Sequence, residues 1–445
     1  MSAATFVSKD ELRARFCSAL SAMYRAEVPL YGDLIELVDD VNAETGIKPE
    51  DRLKVERHGA IRLGKPDELA MIARLFAQMG MEPVGYYDLS PVGVPVHATA
   101  FRPTARSSLA YNPFRVFTSL LLPELLEPEL RAEVEAVLAN RDIFQPEVRT
   151  LVAKSESDGG LVEADAALLV EKALDTFRWH DTALVTRDVY ERMHEAHALV
   201  ADIAAFKGPH INHLTPRVLD IDAAQEGMSR RGITPKTIIE GPPRRACEIL
   251  LRQTSFQALT EPINFPGGGS TSGSHRARFG EIEQRGQALT RKGHALYLEL
   301  MSKIPAAVDN ASHQKALGKV FEAFPDTWEE IAAQALGYFE YALVGAAPSA
   351  PKALAELVRD GVVSQTPVTY EDFLPASAAG IFQSNLDSPD SPGKRSPSPP
   401  ARNATREKFA ALLPIKLRDS FALHEGIQES SIRKLEEQLG WKLPA

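Results

Sequence analysis

Two histidines, His58 and His213, and one short stretch of alternating charge, Arg278–Arg285, have the types and settings that redox chemistry at a metal requires. Each histidine opens a similar segment, HGAIRLGKPDELAMIARLFAQMGMEPVGYY from His58 and HLTPRVLDIDAAQEGMSRRGITPKTII from His213. Both segments place an arginine four residues on (Arg62, Arg217) and run through an acidic helix start. Both then reach Gly-apolar-x-Pro, at Gly80 and Pro83 and at Gly232 and Pro235. In Arg278–Arg285, alternation would set Phe279, Glu281, Glu283 and Arg285 on one face of a strand. Two histidines and one carboxylate from separate strands make the facial triad of non-haem Fe(II) oxygenases, which leaves positions open for substrate and O2. Taken singly, each residue also has an ordinary reading, as a satisfied core or surface histidine or as a Glu283–Arg285 surface ion pair.

Other motifs fall short of chemistry. His194 and His197 are spaced i, i+3, whereas the zinc protease motif needs i, i+4 with a glutamate between; they read as polar residues on a helix surface. Gly267–Ser274 lacks the Gly-Lys-Ser/Thr of a phosphate loop and reads as a hinge or lid beside a site. No Gly-x-Ser-x-Gly elbow is present, so serine hydrolysis has no support. Trp179-His180-Asp181 reads as structural.

The elements that must position these residues follow from periodicity. Residues 1–50 are expected to be helical, with Leu12, Phe16, Leu20 and Tyr24 at four-residue steps. Residues 51–113 form a first strand–helix–strand module, with a helix over Asp67–Met79 closed by Gly80 and a strand over Glu82–Leu89. Residues 114–205 show long Leu/Ala/Glu runs without alternation and read as a helical insertion. A second module, 206–286, would carry the metal site. A helical region follows over 287–386, strongly so to 346, then a Pro/Ser-rich loop, 387–403, and a closing helical segment, 404–445. The two modules point to a duplication.

Composition narrows the function classes. The chain has 445 residues, 44% hydrophobic and 25% charged, as expected of a soluble globular protein of two or three packed units. With 50 basic and 60 acidic residues the net charge is −10, which argues against nucleic acid as a partner. No apolar run approaches the roughly 18–20 residues of a membrane span. Met1–Leu30 reads as neither a secretory signal nor a transit peptide. Cys17 and Cys247 make no disulfide framework and there is no CxxC. A cytoplasmic location is expected, with any metal held by histidine and carboxylate. The oligomeric state is left open.

Asn212-His213-Leu214 and FGEIEQR (Phe279–Arg285) resemble the vicinal oxygen chelate superfamily. FGEIEQR is similar to the iron-binding strand of 4-hydroxyphenylpyruvate dioxygenase, which implies a ligand at Glu281 rather than Glu283. Over nearly its full length the chain resembles the 2-oxoadipate dioxygenase/decarboxylases, or hydroxyglutarate synthases. The segments RHGAIRLG (57–64), YYDLSP (86–91), GPHINHLTPRVLDID (208–222) and EDFLPASAAGIFQSNL (371–386) carry that resemblance.

The resemblance implies an α+β fold: a vicinal-oxygen-chelate-like β-barrel from duplicated strand–helix–strand modules, with a large helical insertion and helical termini. It implies Fe(II) as cofactor, a 2-oxo diacid and O2 as small-molecule partners, and 2-hydroxyglutarate and CO2 as products in lysine catabolism. Another metal-dependent oxygenase or isomerase of the same fold is the alternative. The implied metal ligands are His58, His213 and Glu281. Arg62 is the implied catalytic residue, and His58, Arg62, Ala376 and Ser377 the substrate-binding positions, with Ala376 standing where valine is expected. His210 competes with His213; an odd spacing puts the two on opposite faces of a strand, and both the repeat and the resemblance choose His213.

Overall fold

The computed structural model describes residues 5–47, 50–267, 272–305, 309–374 and 402–444. Helices Lys9–Glu27 and Pro29–Glu44 open the chain where periodicity places them. Ser8 caps the first by accepting from the Glu11 amide, and Pro29 begins the second, where a missing N–H is harmless. A short helix, Asp51–Val55, stands where the β pattern was expected to begin.

The first module forms as expected: β1 (Arg57–Leu63), a helix over Pro66–Gln78, and β2 (Glu82–Asp88). Gly80 ends that helix with φ +67°, in the left-handed region that glycine enters without strain. Next come β3 (Val96–Arg102) and β4 (Arg115–Leu121). Together with β5 (Leu214–Pro216) they make one mixed sheet, in the order β2-β3-β4-β1-β5. β1 runs parallel to β4 and antiparallel to β5. It is therefore an inner strand, and every residue from His58 to Leu63 is buried. A polar side chain on such a strand must find a partner, because burying it unpaired is strongly unfavourable.

β4 corrects the expectation of helix throughout 114–205. All seven of its residues are buried, so the polar–apolar alternation that marks a half-exposed strand is missing. Beyond it the segment is helical: Pro128–Ala139, Pro146–Asp158, Glu163–Phe177, Arg187–Ala196 and Ala198–Ala204. Several of these helices pack over the sheet face that carries Ala60, Ala98, Ala100 and Phe117. On the other face Phe76 meets Phe101 and Phe177, and Phe16 meets Phe114 and Phe177.

The second module departs further from its pattern. Helix Ile221–Arg230 forms, but the strand expected after Pro235 is reduced to isolated bridges at Pro235 and Glu240. There follow β6 (Leu251–Ser255), β7 (Thr260–Asn264), β8 (Ser272–Arg276) and β9 (Glu281–Arg285), with β6 paired to β9 and β7 to β8. Ser272–Ser274, read as part of a hinge or lid, are thus strand; residues 268–271 lie outside the described residues.

The chain divides into two compact units. The first comprises Met1–Lys236, Thr254–Glu283 and Phe373–Leu417; the second comprises Thr237–Gln253, Gln284–Asp372 and Arg418–Ala445. In the second, β10 (Phe339–Leu343) and β11 (Val363–Pro367) form an antiparallel pair, with Leu357, Val363, Leu435 and Leu439 as a small core. β10 sits in a stretch expected to be helical, although Phe339, Tyr341 and Leu343 do alternate with Glu340 and Ala342. Ala376 and Ser377 fall outside the described residues, as does the Pro/Ser-rich tract apart from Arg402 and Asn403, which begin a helix over Arg402–Leu412. No helix of the described residues is long and apolar enough to cross a membrane.

Candidate metal centre

The first unit brings His58, His213 and Glu281 together. One ligand atom from each lies within 4.8 Å of the others, and no other group of three or more such residues occurs among the described residues. All three side chains are at most 1% exposed. His58 comes from β1, His213 from the residue just before β5, and Glu281 from the first position of β9. Their convergence depends on Gly59. A Cβ there would stand 2.5 Å from Ile211 Cδ1 and 2.8 Å from the His213 carbonyl oxygen. Only a glycine lets the 211–213 backbone lie this close to β1.

Hydrogen bonds decide which nitrogen of His213 faces the centre. The Thr215 hydroxyl donates to Glu281 Oε1 at 3.1 Å, and His213 Nδ1 lies 2.9 Å from the same hydroxyl oxygen. With its one proton committed to Glu281, the hydroxyl accepts from His213, so Nδ1 carries the hydrogen and Nε2 the lone pair. His213 Nε2 is buried and has no hydrogen-bond partner. Burial pushes this imidazole down to about 4, so it is neutral near pH 7. A neutral imidazole with a buried, unshared lone pair is a metal ligand in waiting.

His58 lies between two carboxylates, with Nε2 2.8 Å from Glu281 Oε1 and Nδ1 3.0 Å from Glu283 Oε2. Burial lowers its pKa, but Glu283 and Glu281 outweigh burial and leave it above the ordinary value. Burial likewise raises the carboxyl of Glu281, and its two histidines outweigh that and hold it low. The donor set therefore has a place for positive charge that a divalent cation would fill. Two nitrogen ligands and one oxygen ligand fit a non-haem transition metal. Aromatic rings close around them: Phe373 edge-on to His58 at 5.0 Å, and Phe279 stacked on His213 at 4.8 Å.

Of the other expected site residues, Arg62 follows His58 on the same face of β1 and is 9% exposed. Its Nη1 meets Asp202 Oδ2 at 2.5 Å. His210 is not part of the metal group; its Nε2 lies 3.2 Å from Asp202 Oδ1. The strand-parity argument for that choice does not hold, because residues 210–213 precede β5. Irregular backbone, not a strand, separates the two imidazoles. Sequence reasoning missed Thr215, Glu283 as a partner of His58, and Asp202. Thr215 had a signal, lying two residues beyond His213; Asp202, inside the helical insertion, had none.

The sequence profile of the 2-oxoadipate dioxygenase/decarboxylase family matches residues 16–385. The 2-oxoadipate dioxygenase/decarboxylase of Pseudomonas putida is 48% identical over 465 residues, covering 99% of each chain. That of Mycobacterium tuberculosis is 42% identical over 451 residues, covering 97% of this chain and all of the relative. The crystal structure of the Pseudomonas putida hydroxyglutarate synthase in complex with 2-oxoadipate superposes with a TM-score of 0.89 at 46% identity, covering 98% of this chain and 100% of that one. A glyoxalase superfamily protein from Ralstonia eutropha, at 24% identity and a TM-score of 0.50 over 63% of this chain and 85% of its own, shares the fold. By its sequence over nearly the whole length, the chain belongs to the 2-oxoadipate dioxygenase/decarboxylase family.

Proposed function

We infer that this chain is the Fe(II) enzyme that converts 2-oxoadipate and O2 into 2-hydroxyglutarate and CO2, with His58, His213 and Glu281 holding the metal. The observation that carries the reading is the buried convergence of these three side chains within 4.8 Å, with His213 Nε2 unpartnered. Iron, when bound, supplies the electrons and open positions that O2 chemistry needs. The rest falls to the protein. Glu283 and Thr215 orient the imidazoles, as outer partners of metal-bound histidines do. Phe279, Phe373 and Phe117 exclude water from the centre.

Arg62 takes the distal carboxylate. His58 and Arg62 share a face of β1, four residues apart, so their Cα atoms are about 13 Å apart at about 3.3 Å per residue. That span fits a short carbon chain with a carboxylate at each end. A guanidinium can take the far carboxylate through two parallel hydrogen bonds. Ala376 and Ser377 belong to the same reading as further substrate contacts. So does the barrel-like arrangement of two duplicated modules, supported by the antiparallel pairing of their opening strands, β1 and β5, and by the bridge from Arg217 to Glu283.

The reaction balances without a second organic substrate. Six carbons enter and leave as five plus CO2, and both atoms of O2 end in the products. An oxygen electrode with 2-oxoadipate alone should record one O2 consumed per CO2 released. A requirement for added 2-oxoglutarate would sink the assignment, and so would equal rates across a panel of unrelated 2-oxo acids.

A further inference from the structure

Beside the metal group lies a second buried polar cluster that the reading above leaves unused. Its centre is Asp202, on helix Ala198–Ala204, and it is 5% exposed. Asp202 Oδ2 receives Arg62 Nη1 at 2.5 Å. Asp202 Oδ1 receives His275 Nε2 at 2.9 Å, and His210 Nε2 stands 3.2 Å from the same oxygen. The Tyr190 hydroxyl lies 2.7 Å from His275 Nδ1. Because an ionised Asp202 can only accept, His275 carries its hydrogen on Nε2 and Tyr190 donates to Nδ1. Trp179 stacks on His275 and meets His210 edge-on, so both imidazoles are fixed by packing as well.

This arrangement has a directional consequence. With His275 hydrogen-bonded to Oδ1, and His210 packed beside it with its Nε2 also 3.2 Å from the Asn212 side-chain amide, the carboxylate is held in one rotation and turns Oδ2 to Arg62. Holding Nη1 fixes the plane of the guanidinium, and with it the direction of the remaining N–H groups. A long arginine side chain otherwise loses considerable rotamer freedom on binding a ligand, and that loss weakens binding.

We propose that Asp202 is a positioning residue for the reaction. Its carboxylate, held by His275, orients the Arg62 fork and so sets the preference for 2-oxo acids that carry a distal carboxylate. The inference rests on the reading of Arg62 as the distal clamp.

The test compares binding of 2-oxoadipate with that of 2-oxohexanoate, a monoacid of equal length, by anaerobic calorimetry on the metal-loaded enzyme, together with metal content. Arg62→Gln should lower the diacid-to-monoacid affinity ratio sharply. Asp202→Asn should lower the same ratio about tenfold or more, as expected for a charge-assisted hydrogen bond, with metal content kept and the monoacid affected far less. In kinetics the loss should fall on KM more than on kcat. Adding Asp202→Asn to Arg62→Gln should change the ratio no further. If Arg62→Gln leaves the ratio unchanged, the clamp reading fails and this inference fails with it. If Arg62→Gln lowers it and Asp202→Asn does not, Asp202 has no positioning role. Should Asp202→Asn not fold, His275→Phe decides: it keeps the ring volume beside Trp179 and Phe206 but removes the donor. It must lower the ratio by a smaller factor, and an unchanged ratio overturns the proposal.

Discussion

Between His210 and His213 the backbone turns one imidazole to Asp202 and the other to Glu281. The difference in role is therefore one of partners, and it can be read by substitution. His213→Ala or Glu281→Gln should remove most of the bound metal, whereas His210→Ala should keep it; the reverse pattern, by metal analysis, would show that the wrong histidine has been assigned. Thr215 is the finer probe. Its hydroxyl touches both His213 Nδ1 and Glu281 Oε1, and valine matches its shape without the hydroxyl. Outer partners of metal ligands are worth about 10–100-fold in affinity. Thr215→Val should weaken metal binding by about that factor while the protein still folds; unchanged affinity in a competitive chelator titration would remove Thr215 from the account.

At the level of elements, β1 carries the most function per residue. As an inner strand with every position from His58 onward buried, it can hold His58 and Arg62 only because Glu281, Glu283 and Asp202 come to meet them. Gly59 is its weakest point for change. The nearest contacts of an added methyl include the His213 carbonyl oxygen, which is backbone and cannot swing aside. Gly59→Ala should destabilise the protein by about 1–3 kcal/mol, as overpacking does, and loosen metal binding as well. Gly318, within helix Asn310–Phe321, has nothing within 4 Å of an added Cβ. Gly318→Ala should instead be neutral or stabilising by up to about 1 kcal/mol. Equal losses of melting temperature in the two variants would contradict the close-approach argument.

For the whole molecule, metal binding at this centre should be linked to folding. A buried set with two histidines and two carboxylates around it is electrostatically incomplete without a cation, so the ion should stabilise the first unit on binding. At a hundredfold excess of metal over its dissociation constant the linkage amounts to about 2.7 kcal/mol. With about 2–4 °C per kcal/mol for a unit of this order of size, chelation should lower its melting transition by several degrees. Addition of Fe(II) under anaerobic conditions should restore it. A melting curve indifferent to chelator would mean that the three side chains are satisfied without a metal.

Local pattern alone determined a good part of this. The opening helices, the strand–helix–strand around Asp67–Met79 and the stop at Gly80 follow from spacing, capping and backbone preference, which act within a few residues. The choice of Glu281 over Glu283 came from resemblance and not from spacing, since alternation puts both on one face, and in the structure both do reach His58. What the chain does not write locally is burial on two faces. β4 lost its alternation because both its faces are covered, and so it passed for helix. Nor does it write partnership across long separations. Asp202 is 140 residues from Arg62 and meets it only because helix Ala198–Ala204 lies over β1. Which imidazole lies beside Glu281, and which carboxylate holds the arginine, are decided by tertiary structure, because a hydrogen bond depends on distance in space and local sequence signals carry none of that information.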